Sequence, residues 1–328
     1  MKKLLFLFSF LFVLSSCDDG DVEIETINFE DVQPQKCSET NLLFKINQTD
    51  ALLFNIENFS TFNDAFLNDI TLVNAPRTIA ISSTSNKVIY RSYDGVVAAT
   101  KFCGTITDAN PAVVEEWNAV SGTATVTTTA IKSINTDNGV EKISKYNHLI
   151  EFKNITFQKP VGVQIYETLS FGNYQTTPVN LPFAFAVNEL VKSNCSDTDT
   201  RLLNIKGSEV LQLNLDAATY ANLIQSSPTS SPRTALLDNT NTLFYKLFNT
   251  AVTNAYFCVT PSPANPVLVQ EWIAKNGVTN VSGLIEVTTT TFGVQYIHTV
   301  HLRNVTFTLG NSDFKLGDDY VLGSFFTN

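Results

Sequence analysis

The feature that most constrains the fold of this chain is an internal duplication. A Phe-Cys pair ends at Cys103 and again at Cys258, and a Glu-Trp pair ends at Trp117 and again at Trp272, so both recur after 155 residues. Matching segments continue on either side, at residues 37–40 and 195–198, 76–78 and 232–234, 126–129 and 287–290, and 146–157 and 296–307. A repeat of this length is far longer than the roughly 20–50 residues of a solenoid unit. Each copy is therefore predicted to be a whole domain, with bounds at residues 27–177 and 178–328.

Within each copy the hydrophobic pattern is that of β-strands. Residues 22–27 alternate between apolar and polar side chains, and the Thr-rich runs are β-branched. Short strands are also predicted at residues 42–46, 79–83, 88–93, 148–152 and 166–171. About seven strands in some 150 residues favour an antiparallel sandwich or barrel, and the sequence leaves the choice between these two open.

Two segments per copy favour short helices. Asn110 and Asn265 each precede a proline, and Asn followed by Pro is typical of a helix N-terminus. A helix over residues 111–117 is therefore predicted, and another over residues 59–67, where Phe recurs at helical spacing. The predicted fold class is mainly β, with two tandem duplicated antiparallel β-sandwich or barrel-like domains, each with one or two short helices.

The first sixteen residues have the pattern of an export signal. Lys2 and Lys3 precede an apolar run at residues 4–13, which is much shorter than the roughly 20 residues needed to span a bilayer. The run leads into Leu-Ser-Ser-Cys, ending at Cys17. This segment resembles the lipobox of bacterial lipoprotein precursors, which implies removal of residues 1–16 and attachment of lipid, including palmitate, to Cys17. The alternative is an ordinary secretory signal that happens to precede a cysteine.

An acidic run follows Cys17 at residues 18–21. Residues 17–26 are predicted to be the lipidated cysteine and a solvated tether, and the acidic run resembles signals that direct lipoproteins of the Bacteroidota to the cell surface. In enterobacteria, Asp directly after the lipidated cysteine is associated with retention in the inner membrane. We expect a lipoprotein of the cell envelope at the outer membrane, either surface-exposed or facing the periplasm. The lipid would be its contact with the membrane.

The charge balance excludes one class of partner. The chain has 31 Asp and Glu against 21 Lys and Arg, a net charge of −10, and removing the two lysines of the signal changes this to −12. Because binding to phosphates needs concentrated positive charge, no nucleic acid partner is expected. A hydrophobic fraction of 44% also excludes a wholly disordered chain.

The five cysteines divide into Cys17 and two per copy. In an oxidising exported location disulfides are expected, and duplication favours pairs within each copy, Cys37 with Cys103 and Cys195 with Cys258. The alternative is a metal site, but the sequence has neither a Cys-x-x-Cys motif nor a Cys-His cluster. No metal and no cofactor are expected.

The histidines give little support to a metal site. His148 and His298 occupy equivalent positions and would share a strand face with apolar residues, which predicts hydrogen-bonded core histidines. The apolar alternation changes parity after them, so a bulge or turn is expected near Asn154 and Asn304. His301 would face the opposite side of the strand from His298, so the two cannot bind one ion.

Four other residues are weighed as possible ligand contacts. Trp117 and Trp272 are either core anchors or platforms on which sugar rings stack, and their presence in both copies favours the core. Arg77 and Arg233 could bind a carboxylate ligand, whereas a structural ion pair or turn contact is the commoner role. His301 is retained as a further possible contact.

No catalytic motif occurs in the sequence, and we therefore expect a non-catalytic binding or surface-interaction protein on a lipid anchor. Its specificity is predicted to lie in loops that differ between the copies, at residues 131–145 and 226–231, because such insertions normally lie on the surface. The partner would be a protein or a glycan. The alternatives are an accessory glycan-binding lipoprotein and a hydrolase with a site between the domains.

Overall fold

The structure is a computed structural model that describes residues 26–57, 66–70, 75–104 and 109–328. The predicted signal peptide, the lipidation site Cys17, the acidic tether and most of the predicted strand at residues 22–27 lie outside the described residues. So does most of the predicted helix at residues 59–67. Within the described part of the chain, no helix is long and apolar enough to cross a membrane.

The first copy forms one antiparallel sheet of eight strands and one helical turn. Its elements are β1 (Gln35–Lys36), β2 (Leu42–Asn47), β3 (Asp50–Asn55), β4 (Arg77–Ser82), β5 (Lys87–Tyr93), α1 (Thr100–Cys103), β6 (Val113–Ile134), β7 (Glu141–Gln158) and β8 (Val163–Thr176). The strand order is β1-β2-β3-β5-β6-β7-β8, and β4 pairs with the far half of β6. Because β6, β7 and β8 are long, the sheet curls into a half-barrel.

The second copy contains the same arrangement in two separate sheets. Its elements are β9 (Leu190–Lys192), β10 (Leu202–Lys206), β11 (Glu209–Asn214), α2 (Ala217–Leu223), β12 (Arg233–Leu236), β13 (Thr242–Phe248), β14 (Leu268–Ala274), β15 (Leu284–Phe292), β16 (Gln295–Arg303), β17 (Thr306–Leu309), β18 (Ser312–Lys315) and β19 (Asp319–Thr327). Two short 3₁₀ helices are at Val187–Glu189 and Asn254–Cys258. The sheets have the orders β18-β17-β14-β13-β11-β10-β9 and β12-β15-β16-β19.

The strand order of the two copies is therefore equivalent. β14 and β15 together correspond to β6, β16 and β17 to β7, and β18 and β19 to β8. The mainly β, antiparallel fold class predicted from the sequence is confirmed. The structure also shows why sandwich and barrel were hard to separate, since bent strands join the two layers in one copy and broken strands separate them in the other.

The bends lie where the apolar alternation changes parity. Asn154 and Asn304 have positive φ values of 49° and 50°, which Asn tolerates better than most residues. Opposite Asn154, Gly122 has φ 145°, and a Cβ atom there would lie 2.9 Å from the Cα of Ile155. The predicted irregularity near Asn154 and Asn304 is confirmed, and it turns the apolar side chains before and after it into the same core.

Each copy has its own hydrophobic core and its own disulfide. The core of the first copy includes Trp117 and that of the second includes Trp272. The predicted disulfides are confirmed, Cys37–Cys103 with a Cα–Cα distance of 5.2 Å and Cys195–Cys258 with 4.9 Å.

The predicted helix at residues 111–117 is wrong. β6 begins at Val113, and Trp117 pairs with Tyr90 of β5. Trp117 and Ala119 are buried while their neighbours are more exposed, which is the period-two pattern of a strand. The spacing of Val114 and Trp117 also fits a helix, but pairing along β5 decides the outcome.

Candidate functional site

The candidate site is a cleft between the two copies with a cavity of about 510 Å³. Three parts of the chain meet there: the start of β7, the segment at residues 177–183 that follows β8, and the adjoining faces of β14, β18 and β19. The cleft therefore exists only where both copies are present.

Aromatic side chains form much of the wall. Trp272 on β14 and Phe314 on β18 are buried and pack edge to face with ring centroids 5.0 Å apart. Tyr320 on β19 lines the same wall, and Tyr146 on β7 faces it from the first copy. Burial, together with the charge of Asp69, raises the pKa of Tyr146 to about 12, so the phenol is neutral at physiological pH.

Phe183 closes one side of the cleft in a fixed conformation. Its φ is 49°, which is unusual for a bulky residue and costs about 1–3 kcal/mol. The buried carboxylate of Glu209 accepts a hydrogen bond from the Phe183 backbone N–H at 2.9 Å and another from the hydroxyl of Tyr245 at 2.7 Å. The Phe183 ring stacks on Tyr245 with centroids 4.4 Å apart. These contacts hold the segment against the second copy.

The hairpin extension at residues 131–145, here called the arm, forms the opposite side. Lys132 Nζ lies 2.8 Å from Asp313 Oδ1 on β18 and 2.9 Å from Glu141 Oε2 within the arm. Glu141 Oε2 also accepts a hydrogen bond from the backbone N–H of Lys315 at 2.9 Å. Although burial opposes it, hydrogen bonds from Lys132 and Lys275 hold the pKa of Asp313 below its usual value. The arm is thus fastened to the second copy by charged groups.

Backbone contacts reinforce this junction. The Asp318 N–H donates to the Asn138 carbonyl at 2.9 Å, and the Asn311 side-chain amide donates to the Thr128 carbonyl. The expectation of a free specificity loop at residues 131–145 is therefore corrected, because the inserted residues bind the second copy and line the cleft. Residues 226–231 likewise pack on their own copy, where Thr229 exchanges hydrogen bonds with Thr289.

The two tryptophans are core residues. Trp117 is 1% exposed and Trp272 is fully buried. Each indole N–H donates to the side chain two residues earlier, to Glu115 at 2.7 Å and to Gln270 at 3.1 Å. Their interpretation as exposed stacking platforms is wrong, although Trp272 still contributes to the wall of the cleft.

The two arginines make structural contacts. Arg77 Nη1 donates to the carbonyl of Asn68 at 2.7 Å. Arg233 Nη1 donates to Thr289 Oγ1 at 3.0 Å and its Nη2 donates to the Ser227 carbonyl at 2.9 Å. Neither arginine lines the cleft.

The equivalent histidines are buried in equivalent hydrogen-bond networks. His148 lies between Thr128 and Thr176, with both nitrogen–oxygen distances at 2.8 Å, and His298 lies between Thr289 and Thr327 at 2.9 Å. Since Thr176 donates to Asp69, it accepts from Nε2 of His148, which leaves Nδ1 to accept from Thr128.

The arrangement around His148 suits a neutral imidazole. Burial, and then the positive charge of Arg77, lowers the pKa of His148 to about 4. The pKa of His298 is lowered for the same reasons, burial and Arg233. The prediction of hydrogen-bonded core histidines is confirmed.

His301 lies at the surface, away from the cleft. Its Nδ1 is 2.9 Å from Asp319, which also pairs with Arg303 at 2.7 Å. Across the described ranges, no three His, Cys, Asp or Glu side chains are grouped so as to hold a metal ion.

Sequence reasoning missed most of the residues that form the cleft. Glu209, Phe314 and Tyr320 belong to ordinary alternating strands and carry no local signal. The one available signal was the length difference at residues 131–145, which was recognised but assigned to a free loop. Comparisons with family models, with curated proteins and with solved structures found no match to this chain.

Proposed function

We propose that this protein is a non-catalytic, lipid-anchored binding protein of the cell envelope that holds a small, largely apolar ligand in the cleft between its two copies. The observation that carries the proposal is the cavity of about 510 Å³ with Trp272, Phe314 and Tyr146 in its wall. Ligand sites are typically apolar cavities of about 300–1,000 Å³ with a few polar groups.

The polar groups of the cleft favour binding over catalysis. Glu141 is the only carboxylate among the lining residues, and it is already held by Lys132 and by the backbone of Lys315. Lys315 Nζ lies 2.5 Å from Asp318. An apolar ligand would leave all these pairs intact, whereas acid–base chemistry would need a carboxylate or imidazole free to exchange a proton.

Tryptophan fluorescence can test binding at the cleft, because each copy has one tryptophan. In a soluble chain that begins at residue 18, Trp117→Phe leaves Trp272 as the reporter. We expect N-phenyl-1-naphthylamine to quench Trp272 saturably by energy transfer. In the Trp272→Phe chain, Trp117 in the other core should respond much less.

A cavity-filling substitution locates the probe. Val179 lines the cleft, so Val179→Phe should weaken binding of the probe by about tenfold or more through overpacking. Val120 is similarly exposed but lies outside the cleft, and Val120→Phe is the matched control. Absence of saturable quenching, or equal affinities of the two variants, would contradict the proposal.

The anchor is tested separately in cells. The Cys17→Ala protein should be found in the soluble fraction or as unprocessed precursor, whereas the native protein should stay with the membrane. Membrane retention of processed Cys17→Ala protein would argue against lipidation.

A further inference from the structure

The edge of the first copy formed by the β7–β8 turn and the start of β8 has an unusual surface. Val161, Val163 and Ile165 are 87%, 56% and 60% exposed. β8 is the last strand of its sheet, so its outer backbone edge is also unpaired. Monomeric proteins usually protect such edges with charge or cover them. We call these three side chains the apolar edge.

The second copy shows what happens at the equivalent positions. Phe157 pairs with Gln164 in the first copy and Phe307 pairs with Phe314 in the second, which aligns the two hairpins. In this alignment the apolar edge corresponds to Asn311, Asp313 and Lys315.

Those three residues contact the first copy through Thr128, Lys132 and Glu141. The covered edge is thus polar and the uncovered edge is apolar, which is the reverse of the usual distribution and indicates that something covers the apolar edge.

The position of the chain start indicates what covers it. The Ile27 N–H donates to the hydroxyl of Tyr166, the residue next to Ile165, at 3.1 Å. Nine residues separate Cys17 from Thr26, so the lipidated cysteine can lie at most about 30 Å from the first described residue. A lipid anchor therefore keeps the apolar edge within reach of the bilayer interface.

We propose that the apolar edge inserts into the lipid interface and orients the protein on the membrane. The proposal rests on the proposed lipid anchor at Cys17. An aliphatic hairpin tip beside an acyl anchor supplies a second, weaker membrane contact, and stable anchoring generally takes two such signals. This orientation would leave the second copy facing away from the bilayer.

The test places a tryptophan at the edge of the full lipidated protein. Val161→Trp is compared with Val294→Trp, a 95% exposed hairpin-tip position in the second copy. Both proteins are reconstituted into phosphatidylethanolamine–phosphatidylglycerol vesicles with or without brominated acyl chains. The two native tryptophans, both buried, give a common background. Val163→Trp provides a second probe of the same edge.

We expect brominated lipid to reduce the added emission at position 161 by about half and to leave that at position 294 unchanged. A protein that fails to float with the vesicles overturns the anchor and this proposal together. A protein that floats with position 161 unquenched, or quenched no more than position 294, overturns the edge proposal alone. Blue-shifted but unquenched emission at position 161 would identify a second copy of the chain as the cover and would also overturn it.

Discussion

The buried histidine of the first copy should make that copy sensitive to acid. His148 has a pKa of about 4 in the folded protein, against roughly 6.5 in an unfolded chain. Between these values the unfolded state binds the additional proton, so stability falls as the pH falls through this window. From pH 7 to pH 5 the linkage relation gives a loss of about 2 kcal/mol in the free energy of unfolding. Above the unfolded pKa, His148 is neutral in both states and has no such effect.

The matched substitution is His148→Gln. Glutamine can accept from Thr128 and donate to Thr176, as the neutral imidazole does, but it does not titrate. Asp69 and Arg77 remain in both proteins, so their own pH effects are common to both. We therefore expect the parent to lose about 2 kcal/mol more than His148→Gln between pH 7 and pH 5.

Urea unfolding at the two pH values measures this difference. A Trp272→Phe background makes Trp117, in the same core as His148, the only tryptophan and hence the reporter of the first copy. His301→Gln, at the surface, is the control and should leave the difference unchanged. Equal pH dependence in the parent and in His148→Gln would refute the argument from burial.

Three further perturbations test other features of the structure. Replacing Cys195 and Cys258 by Ser opens a loop of 63 residues and should lower stability by about 4 kcal/mol on the entropic account, measured by thermal unfolding of the second copy; an unchanged Tm would contradict it. Lys132→Met removes the ion pair with Asp313 and should speed amide exchange in the arm and β18, whereas Lys142→Met, on an exposed neighbour, should not; equal exchange would show that the arm is held otherwise. Gly122→Ala places a Cβ atom 2.9 Å from the Ile155 backbone and should destabilise more than Gly162→Ala, which also has positive φ but meets no atom within 4 Å; equal losses in urea unfolding would show that the close contact adds nothing.

The duplication explains how much could be predicted from the sequence. Residues retained in both copies, such as Cys37 and Cys195 or His148 and His298, are those that the shared fold requires, so their disulfide and core roles were correctly predicted. The helix at residues 111–117 was wrong because Val114 and Trp117 fit both a helical and a strand spacing, and pairing with β5 is invisible locally.

The cleft could not be predicted in the same way. Its arm and the segment at residues 177–183 occur once, so comparison of the copies gives no second example of either. Its ion pair joins Lys132 to Asp313 across 181 residues. Such a contact depends on how the two copies are placed, which neither alternation nor composition encodes.

A tandem duplication produces a head-to-tail contact, in which one surface of the first copy meets a different surface of the second. Such a heterologous contact always leaves one unused example of each surface. The arm is the used surface on the first copy, and the second copy lacks it because β15 and β16 are joined by a tight turn at Phe292–Gln295. The edge around Asp313 is the used surface on the second copy, and its unused counterpart is the apolar edge. The cleft and the proposed membrane contact thus arise from the same asymmetry, so evolution of one surface after duplication left the other free to acquire a separate partner.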